Sequence, residues 1–329
     1  MIARTLCFTS IGKLSVKYEQ LVWSPSDGEQ KMMPIEDIGI VILESDKIGI
    51  TTSALQFLAE HNVAVVLCDK AHMPSAQILP FAANATASES TEAQLSATDA
   101  VQGRLWRQFV RQKIRNQAML MQRLGADNFK RLLSLADEVK NGDPQNCEAQ
   151  AARIYFQTLG PKGFVRDREG EWPNAPLNYG YAILRAAVAR ALVGSGLACF
   201  HGIHHHNKYN AFALADDVME PYRPFVDQYV LGKVRPFDVP LKELSREMKS
   251  RLLEMLTCDG TRASVRSSGA SRSHAPSDGV PSLLPLPSQR RLCPHRSRPC
   301  LLSASRPCLS RHLLSRSRPC LRLLRASRP

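Results

Sequence analysis

The sequence predicts an α+β protein with a small β-rich N-terminal domain, a larger all-α domain and a C-terminal tail rich in Arg, Ser and Pro. Short apolar and β-branched runs separated by turn residues fill the first part of the chain, which is typical of strands. Helical periodicity follows, and the last part contains no aromatic residue that could build a core. The predicted division is a β-rich domain at 1–81, a linker at 82–99, a helical domain at 100–258 and a disordered low-complexity tail at 259–329.

Short apolar runs predict the strands of the β-rich domain. One helix is expected among them, because Thr-Thr-Ser at 51–53 offers an N-cap ahead of the apolar run 54–59. His-Asn at 61–62 ends that helix before the next strand. The predicted strands are 4–9, 13–18, 20–23, 38–43 and 64–68.

Residues 82–99 are rich in Ala, Ser, Thr, Asn and Glu and show no clear amphipathic order, which predicts a linker. Apolar residues then recur at helical spacing through the rest of the body. The predicted helices are 105–124, 128–139, 148–159, 178–193, 211–220 and 241–256.

An arginine stripe follows the helix predicted at 105–124. Its four members fall at i, i+3, i+7 and i+11, opposite the apolar face. Such a stripe is either a solvated helix face or a set of cations that neutralise DNA phosphates, to which the guanidinium group is suited. The members are Arg104, Arg107, Arg111 and Arg115.

The formal net charge of +13 suggests a polyanionic partner until its distribution is considered. Residues 261–329 contain 14 Arg, one acid and no Lys, so this segment carries the whole excess and residues 1–260 are formally neutral. Two interpretations of the segment stand beside each other. It is a cationic tail that binds nucleic acid, or a shifted reading frame or read-through has replaced the authentic C-terminus. The absence of Lys favours the second.

The cysteines and the hydropathy of the chain indicate its cellular compartment. Five cysteines are scattered through the body without the close spacing of a zinc knuckle or redox pair, which fits reduced thiols. No secretory segment is expected at the start, and no apolar stretch reaches the ~20 residues of a membrane span. We therefore expect a cytoplasmic protein without a membrane partner.

Three segments are candidates for chemistry. Glu148 lies at a predicted helix start, where the helix dipole alone would also explain it. The run Gly-Ile-His-His-His-Asn at 202–207 offers at most two metal ligands, because neighbouring side chains diverge, and it is otherwise a polar loop.

The third segment is acidic. On a helix, Asp217 and Glu220 are spaced i, i+3 and Asp216 and Glu220 i, i+4, so their carboxylates are predicted to converge and to favour Mg²⁺ or Mn²⁺. Arg223 is the alternative cation and would form a plain structural bridge. Pro221 should kink or end the helix.

Together these segments resemble the CRISPR adaptation integrases, the "Cas-one" endonuclease family, in the form linked to type II systems. Four motifs occur in the family order, and the similarity runs over about residues 1–258. The motifs are Glu-Ala-Gln-Ala-Ala-Arg-Ile-Tyr-Phe at 148–156, Leu-Asn-Tyr-Gly-Tyr-Ala-Ile-Leu at 177–184, Gly-Ile-His-His at 202–205 and Asp-Asp-Val-Met-Glu-Pro-Tyr-Arg-Pro at 216–224.

The resemblance implies that Glu148, His205 and Glu220 bind Mg²⁺ or Mn²⁺. Asp217 is implied as a helper acid. Apart from the resemblance, Arg223 and the arginine stripe are candidate DNA contacts. The resemblance further implies a homodimer formed through the β-rich domains and a small companion adaptation protein, "Cas-two". The implied substrates are double-stranded DNA, protospacer and CRISPR repeat, and the reaction inserts foreign DNA at the repeat border by transesterification.

The sequence departs from the family after Cys258, where Asp-Gly leads directly into the Arg-Ser-Pro segment. Two alternatives to the enzyme follow. One is a catalytically silent DNA-binding or scaffold subunit. The other is a zinc-binding structural module built on His204–His206 and the cysteines, which lack paired ligand spacing.

Overall fold

This computed structural model describes residues 4–81, 83–161, 164, 166–167, 172–233, 244–253 and 256. The tail predicted to be disordered lies outside these residues, as does Cys258. Within the described part, none of the helices has both the length and the apolar character needed to cross a membrane.

The first part of the chain is β-rich, as predicted. Two four-stranded sheets are present, with the orders β1-β5-β7-β8 and β4-β3-β2-β6. In the described residues of this part the elements are β1 (Arg4–Phe8), β2 (Gly12–Lys17), β3 (Gln20–Pro25), β4 (Lys31–Pro34), β5 (Ile38–Leu43), β6 (Ile48–Ile50), α1 (Thr52–Glu60), β7 (Ala64–Cys68) and β8 (Pro74–Ile78).

The two sheets differ in how their strands are paired. In the first, β5 pairs in parallel with β1 and β7, and every residue of β5 is buried, as expected for a strand covered on both faces. In the second, β2 and β3 form a hairpin whose two turn residues, Tyr18 and Glu19, both have positive φ. That backbone matches the twist of a two-residue hairpin turn.

All five predicted strands are present, and so is the predicted helix α1. The Thr51 hydroxyl accepts a hydrogen bond from the Ala54 N–H at 3.2 Å, which is the predicted N-cap. Strands β4, β6 and β8 were not predicted, because their Pro, Gly and polar residues weaken the strand pattern.

The second part is helical, which confirms the α+β class. Its described elements are α2 (Ala87–Leu95), α3 (Asp99–Arg123), α4 (Phe129–Glu138), α5 (Cys147–Leu159), α6 (Asn174–Gly194), α7 (Ala213–Met219), a 3₁₀ turn (Glu220–Tyr222), α8 (Arg223–Lys233) and α9 (Arg246–Leu253). The predicted break at Pro221 is confirmed. Helix α8 was not predicted; its first turn contains Pro224, and proline is tolerated in a first helical turn.

The segment 82–99, predicted as a linker, contains helix α2. Gln94 on α2 is buried, and its amide nitrogen donates to the carbonyls of Ala198 and His201 at 3.0 and 2.8 Å. Its amide oxygen accepts from the Ala198 N–H at 2.9 Å. This helix is anchored by a polar contact, so apolar periodicity does not mark it.

The β-rich part and helix α6 share one hydrophobic core. Inward residues of β5 and β7 pack with one side of α6, and Ile40, Ile42, Ala64 and Val66 belong to this core. The Arg190 guanidinium on α6 donates to the Asn62 carbonyl. A second core joins α3, α4 and α5. The domain boundaries at 81 and 100 stay predictions.

We expect Gln94→Leu to lower the free energy of unfolding by roughly 1–3 kcal/mol, because the Ala198 N–H and two carbonyls would lose a buried partner. Gln122→Leu, at an exposed position on α3, is the matched control and should change little. Urea unfolding of both variants checks this, and equal losses would contradict the anchoring role of Gln94.

Candidate active site

Lys113 lies at the centre of the candidate site. Its ammonium group is 2.6 Å from Oε1 of Glu148 and 2.6 Å from Oε2 of Glu220. Helix α3 supplies the lysine, the first turn of α5 supplies Glu148, and the 3₁₀ turn supplies Glu220. The site therefore joins three segments that are distant in sequence.

A local cap fixes the position of Glu148. The Asp143 carboxylate accepts hydrogen bonds from the N–H groups of Cys147 and Glu148 at 2.9 and 3.0 Å. Asn146 has a positive φ, and its side-chain oxygen accepts from the Ala149 N–H at 3.4 Å. These contacts satisfy the free amides of the first turn of α5 and hold the Glu148 backbone in place.

Two cations hold Glu220, which is 5% exposed. Besides Lys113 at Oε2, the Arg223 Nε donates to Oε1 at 2.8 Å. Burial by itself would raise the pKa of Glu220, but the charges of Lys113 and Arg223 outweigh it and lower the pKa to about 2. Glu220 is therefore an ionised carboxylate near neutral pH. The Arg223 bridge anticipated from the sequence is present.

The histidine loop is built around Asp217, which is fully buried. Oδ2 of Asp217 accepts from the N–H groups of Ile203 and His204 at 2.6 and 2.9 Å, and the other oxygen forms a hydrogen bond with Nδ1 of His205. A Cβ at Gly202 would lie 3.0 Å from Oδ2 and 2.4 Å from the His205 carbonyl, so the loop requires glycine there.

This contact orients the imidazole of His205. With Nδ1 engaged by Asp217, Nε2 is the nitrogen left for a ligand, as is common when a carboxylate supports a metal-binding histidine. The hydrogen bond to Asp217 raises the pKa of His205 against the opposing effect of burial, and the charges of Glu220 and Glu148 add to the rise.

Trp106 on α3 packs against the histidine loop. Its indole stacks on His204 with ring centroids 4.2 Å apart and planes 4° apart, and it meets His205 edge-on at 5.7 Å. Trp106 itself is buried in the core of α3, α4 and α5. The loop therefore lies against a fixed aromatic surface.

The three acids of 216–220, whose carboxylates are predicted to converge, have different partners. Asp216 accepts from the Asn210 amide at 2.8 Å, Asp217 holds the histidine loop, and Glu220 faces Lys113. Among the residues that the structure describes, no three His, Cys, Asp or Glu side chains form a group that could hold a metal ion. The four described cysteines are free thiols, and none of them belongs to such a group.

The arginine stripe packs mainly against α4. The Arg107 Nε donates to the Val139 carbonyl at 2.9 Å, and Arg111 and Arg115 pair with Asp137 at 2.9 and 3.0 Å. Arg104 is exposed and forms no ion pair with any described residue. Internal contacts thus account for three of the four stripe members.

A buried carboxyl, Asp227 on α8, adjoins the site. It accepts hydrogen bonds from the hydroxyls of Tyr155 and Tyr181 at 2.8 and 2.5 Å. Burial raises the pKa of Asp227 to about 6, although the two hydroxyls oppose the rise. Arg223 lies over the Tyr181 ring at 4.5 Å, which links this pair of tyrosines to Glu220.

Comparison with known proteins identifies the family. Residues 6–254 match the family model described as CRISPR associated protein Cas1. The chain belongs to the Cas1 family. The family resemblance found in the four sequence motifs is thereby confirmed, and the link to type II systems stays a prediction.

Individual relatives agree with the Cas1 assignment. Over 232 residues, 70% of this chain and 76% of the relative, the chain is 41% identical to the CRISPR-associated endonuclease Cas1 of Neisseria meningitidis serogroup C (strain 8013). Its fold is similar to that of a casposase bound to its integration product, with a TM-score of 0.64 and 20% identity over 77% of this chain and 82% of that chain. A Cas6-RT-Cas1–Cas2 complex gives a TM-score of 0.59 at 21% identity, over 77% of this chain and 32% of that chain.

It was not predicted from the sequence that Lys113, Asp143 and Trp106 belong to this candidate site. Lys113 left a readable signal, because it falls at i+7 from Trp106 and i+3 from Val110, on the apolar side of α3. A lysine on an apolar helix face requires a buried partner. Asp143 left no comparable signal, since it lies in a turn before α5.

We expect Asp227→Asn to change how the stability depends on pH. The folded state holds the Asp227 proton up to about pH 6, whereas the unfolded chain releases it at lower pH, so the parent loses stability as pH rises through this window. The shift corresponds to at most about 3 kcal/mol relative to the Asn variant. Chemical unfolding at several pH values measures it. Asp127→Asn, at an exposed position, should leave the profile unchanged, and parallel profiles for the parent and Asp227→Asn would contradict the assignment.

Proposed function

We propose that this chain is a divalent-metal-dependent DNA endonuclease and integrase of CRISPR adaptation, of the form linked to type II systems. One observation supports it most: Glu148 and Glu220 bring carboxylate oxygens to a single cation position in a chain of the Cas1 family. The relative from Neisseria meningitidis, which is named an endonuclease, supports the reaction class.

The donor types suit a divalent ion, although among the described residues these side chains do not yet form a group of three that could hold one. Two carboxylates and an imidazole form a mixed oxygen and nitrogen set of the kind that accepts Mg²⁺ or Mn²⁺. The Lys113 ammonium lies between the two carboxylates, so Glu148 and Glu220 already bind one positive charge. Glu148, Glu220 and His205 would hold the ion, which supplies Lewis-acid stabilisation of a reacting phosphodiester when bound.

The residues around this set hold it in place. Asp217 keeps Nδ1 of His205 engaged and thereby presents Nε2. Arg223 holds the second oxygen of Glu220. Asp217 is therefore a positioning residue, in agreement with the helper role that the resemblance implies.

The proposed reaction is a transesterification. The 3′-hydroxyl oxygen of a DNA fragment forms a bond to a phosphorus at the repeat border, the bond from that phosphorus to its leaving oxygen breaks, and the proton of the hydroxyl passes to solvent while the leaving oxygen gains one. With water as the attacking group, the same displacement is hydrolysis and gives endonuclease activity.

The proposed partners are protospacer and repeat DNA, a second copy of the chain through the β-rich part, and a small Cas2-type companion. The similar fold within a Cas1–Cas2 complex and that of a casposase bound to an integration product support these partners. We keep the proposal that Arg104 contacts DNA, since its charge has no internal partner among the described residues. For Arg107, Arg111, Arg115 and Arg223, the internal contacts compete with such a role.

We expect the full chain, with Mn²⁺ and its companion, to join a short duplex with free 3′-hydroxyls to a supercoiled repeat-bearing plasmid. Glu148→Ala and His205→Ala should reduce joining ~100-fold or more, because each removes a ligand. Glu138→Ala, at an exposed acid on α4, is the control and should join normally. A parent chain that binds the duplex but never joins it would instead support the silent scaffold alternative.

We expect Arg104→Ala to weaken binding of a non-specific duplex and to lower the slope of log K against log salt by roughly one unit, as for the loss of one phosphate contact. Arg111→Ala serves as the comparison, because Arg111 is engaged by Asp137 and should affect binding less. Fluorescence anisotropy over a salt series measures both, and equal slopes for the parent and Arg104→Ala would count against the contact.

A further inference from the structure

Lys113 occupies the place where the two acidic ligands meet. Its side chain is 12% exposed, and its nitrogen contacts one oxygen of Glu148 and one of Glu220, each at 2.6 Å. The second oxygen of Glu220 belongs to Arg223 at 2.8 Å. Both oxygens of Glu220 are therefore already held by protein cations.

This arrangement excludes a divalent ion from the same oxygens. Mg²⁺ binds carboxylate oxygens at about 2.0–2.1 Å, so an ion shared by Glu148 and Glu220 would lie within the volume of the Lys113 nitrogen. Two cations cannot occupy one position, and the ammonium must leave before such an ion binds. Charge leads to the same conclusion, because the two glutamates are balanced by Lys113 and Arg223 and offer a dication little net attraction.

Only the side chain of Lys113 has to move. Helix α3 is fixed to the turn that carries Glu220, since the Asn116 amide on α3 donates to the Pro221 carbonyl at 2.6 Å. Lysine carries its charge on a flexible four-carbon stem with rotatable donors, so the ammonium is able to leave while the helix stays in place.

We propose that Lys113 is an internal counter-cation: it neutralises Glu148 and Glu220 in the metal-free protein and competes with the divalent ion for them. It thereby sets the metal concentration that the protein requires. This inference rests on the proposed ligand set. It gives a role to Lys113, which lies outside the four sequence motifs.

The test measures metal binding without DNA or turnover. The metal-free full chain is titrated with Mn²⁺ at fixed pH and ionic strength, and the electron paramagnetic resonance signal of free Mn²⁺ gives the dissociation constant. We expect Lys113→Met, which keeps the side-chain length without the charge, to bind Mn²⁺ about tenfold more tightly or better, a change of ~1.4 kcal/mol. Lys113→Arg keeps the competing charge and should bind no more tightly than the parent. Lys130→Met removes an exposed charge on α4 and should match the parent.

A second measurement covers the case in which Lys113→Met folds poorly without metal. Mn²⁺ should then raise its melting temperature more than it raises that of the parent, because a ligand that binds only the folded state stabilises in proportion to its affinity. Equal affinities and equal shifts in the parent and Lys113→Met overturn the proposal.

Glu148→Ala separates the two possible failures. If the parent and Lys113→Met bind Mn²⁺ equally, and Glu148→Ala abolishes binding in both backgrounds, the ligand assignment stands and only the role of Lys113 is wrong. If binding in both backgrounds survives Glu148→Ala, or neither protein binds Mn²⁺, the ligand assignment falls and the role of Lys113 falls with it.

Discussion

The arrangement of the helical part depends on the need to neutralise two carboxylates held away from water. A buried charge without a partner is costly, so Glu220 and the half-buried Glu148 require cations that approach them from the protein itself. Lys113 meets this need for both acids, and it can do so only if α3, the start of α5 and the turn after α7 lie together. Removing Lys113 would leave Glu148 without its ion-pair partner, so the cluster constrains the packing of these segments as well as forming a candidate site.

Two hydrophobic cores bring these segments together. One joins α3, α4 and α5, and the other joins α6, α7 and α8 to the inner strands of the first sheet. Ile203 of the histidine loop and Val218 of α7 pack against both cores. The loop and the helix that carries Asp217 therefore lie where the cores meet, and apolar packing sets the distance between His205 and the acids on the other side of the site.

Local patterns predicted more of the fold than of the site. Periodicity located α3, α4, α5 and α6 and five of the strands, because these elements bury a regular apolar face. It missed α2, whose contact with the loop after α6 is a polar one through Gln94. The motifs named Glu148, His205 and Glu220, but a motif gives the kind of ligand and not its partner. Lys113 becomes visible only when α3 and α5 pack, since the two residues are 35 positions apart.

The acids of the last motif show why spacing alone is insufficient. Asp217 and Glu220 are three residues apart, and on an uninterrupted helix they would compete for one cation. Here α7 ends at Met219 and a 3₁₀ turn carries Glu220, with Pro221 preventing continuation of the helix. Asp217 is left to satisfy the amides and imidazole of the histidine loop, while Glu220 faces Lys113 and Arg223. The two carboxylates therefore have different roles despite their proximity in sequence. Asp217 fixes the orientation of His205, and Glu220 contributes to the position at which the Lys113 ammonium is held.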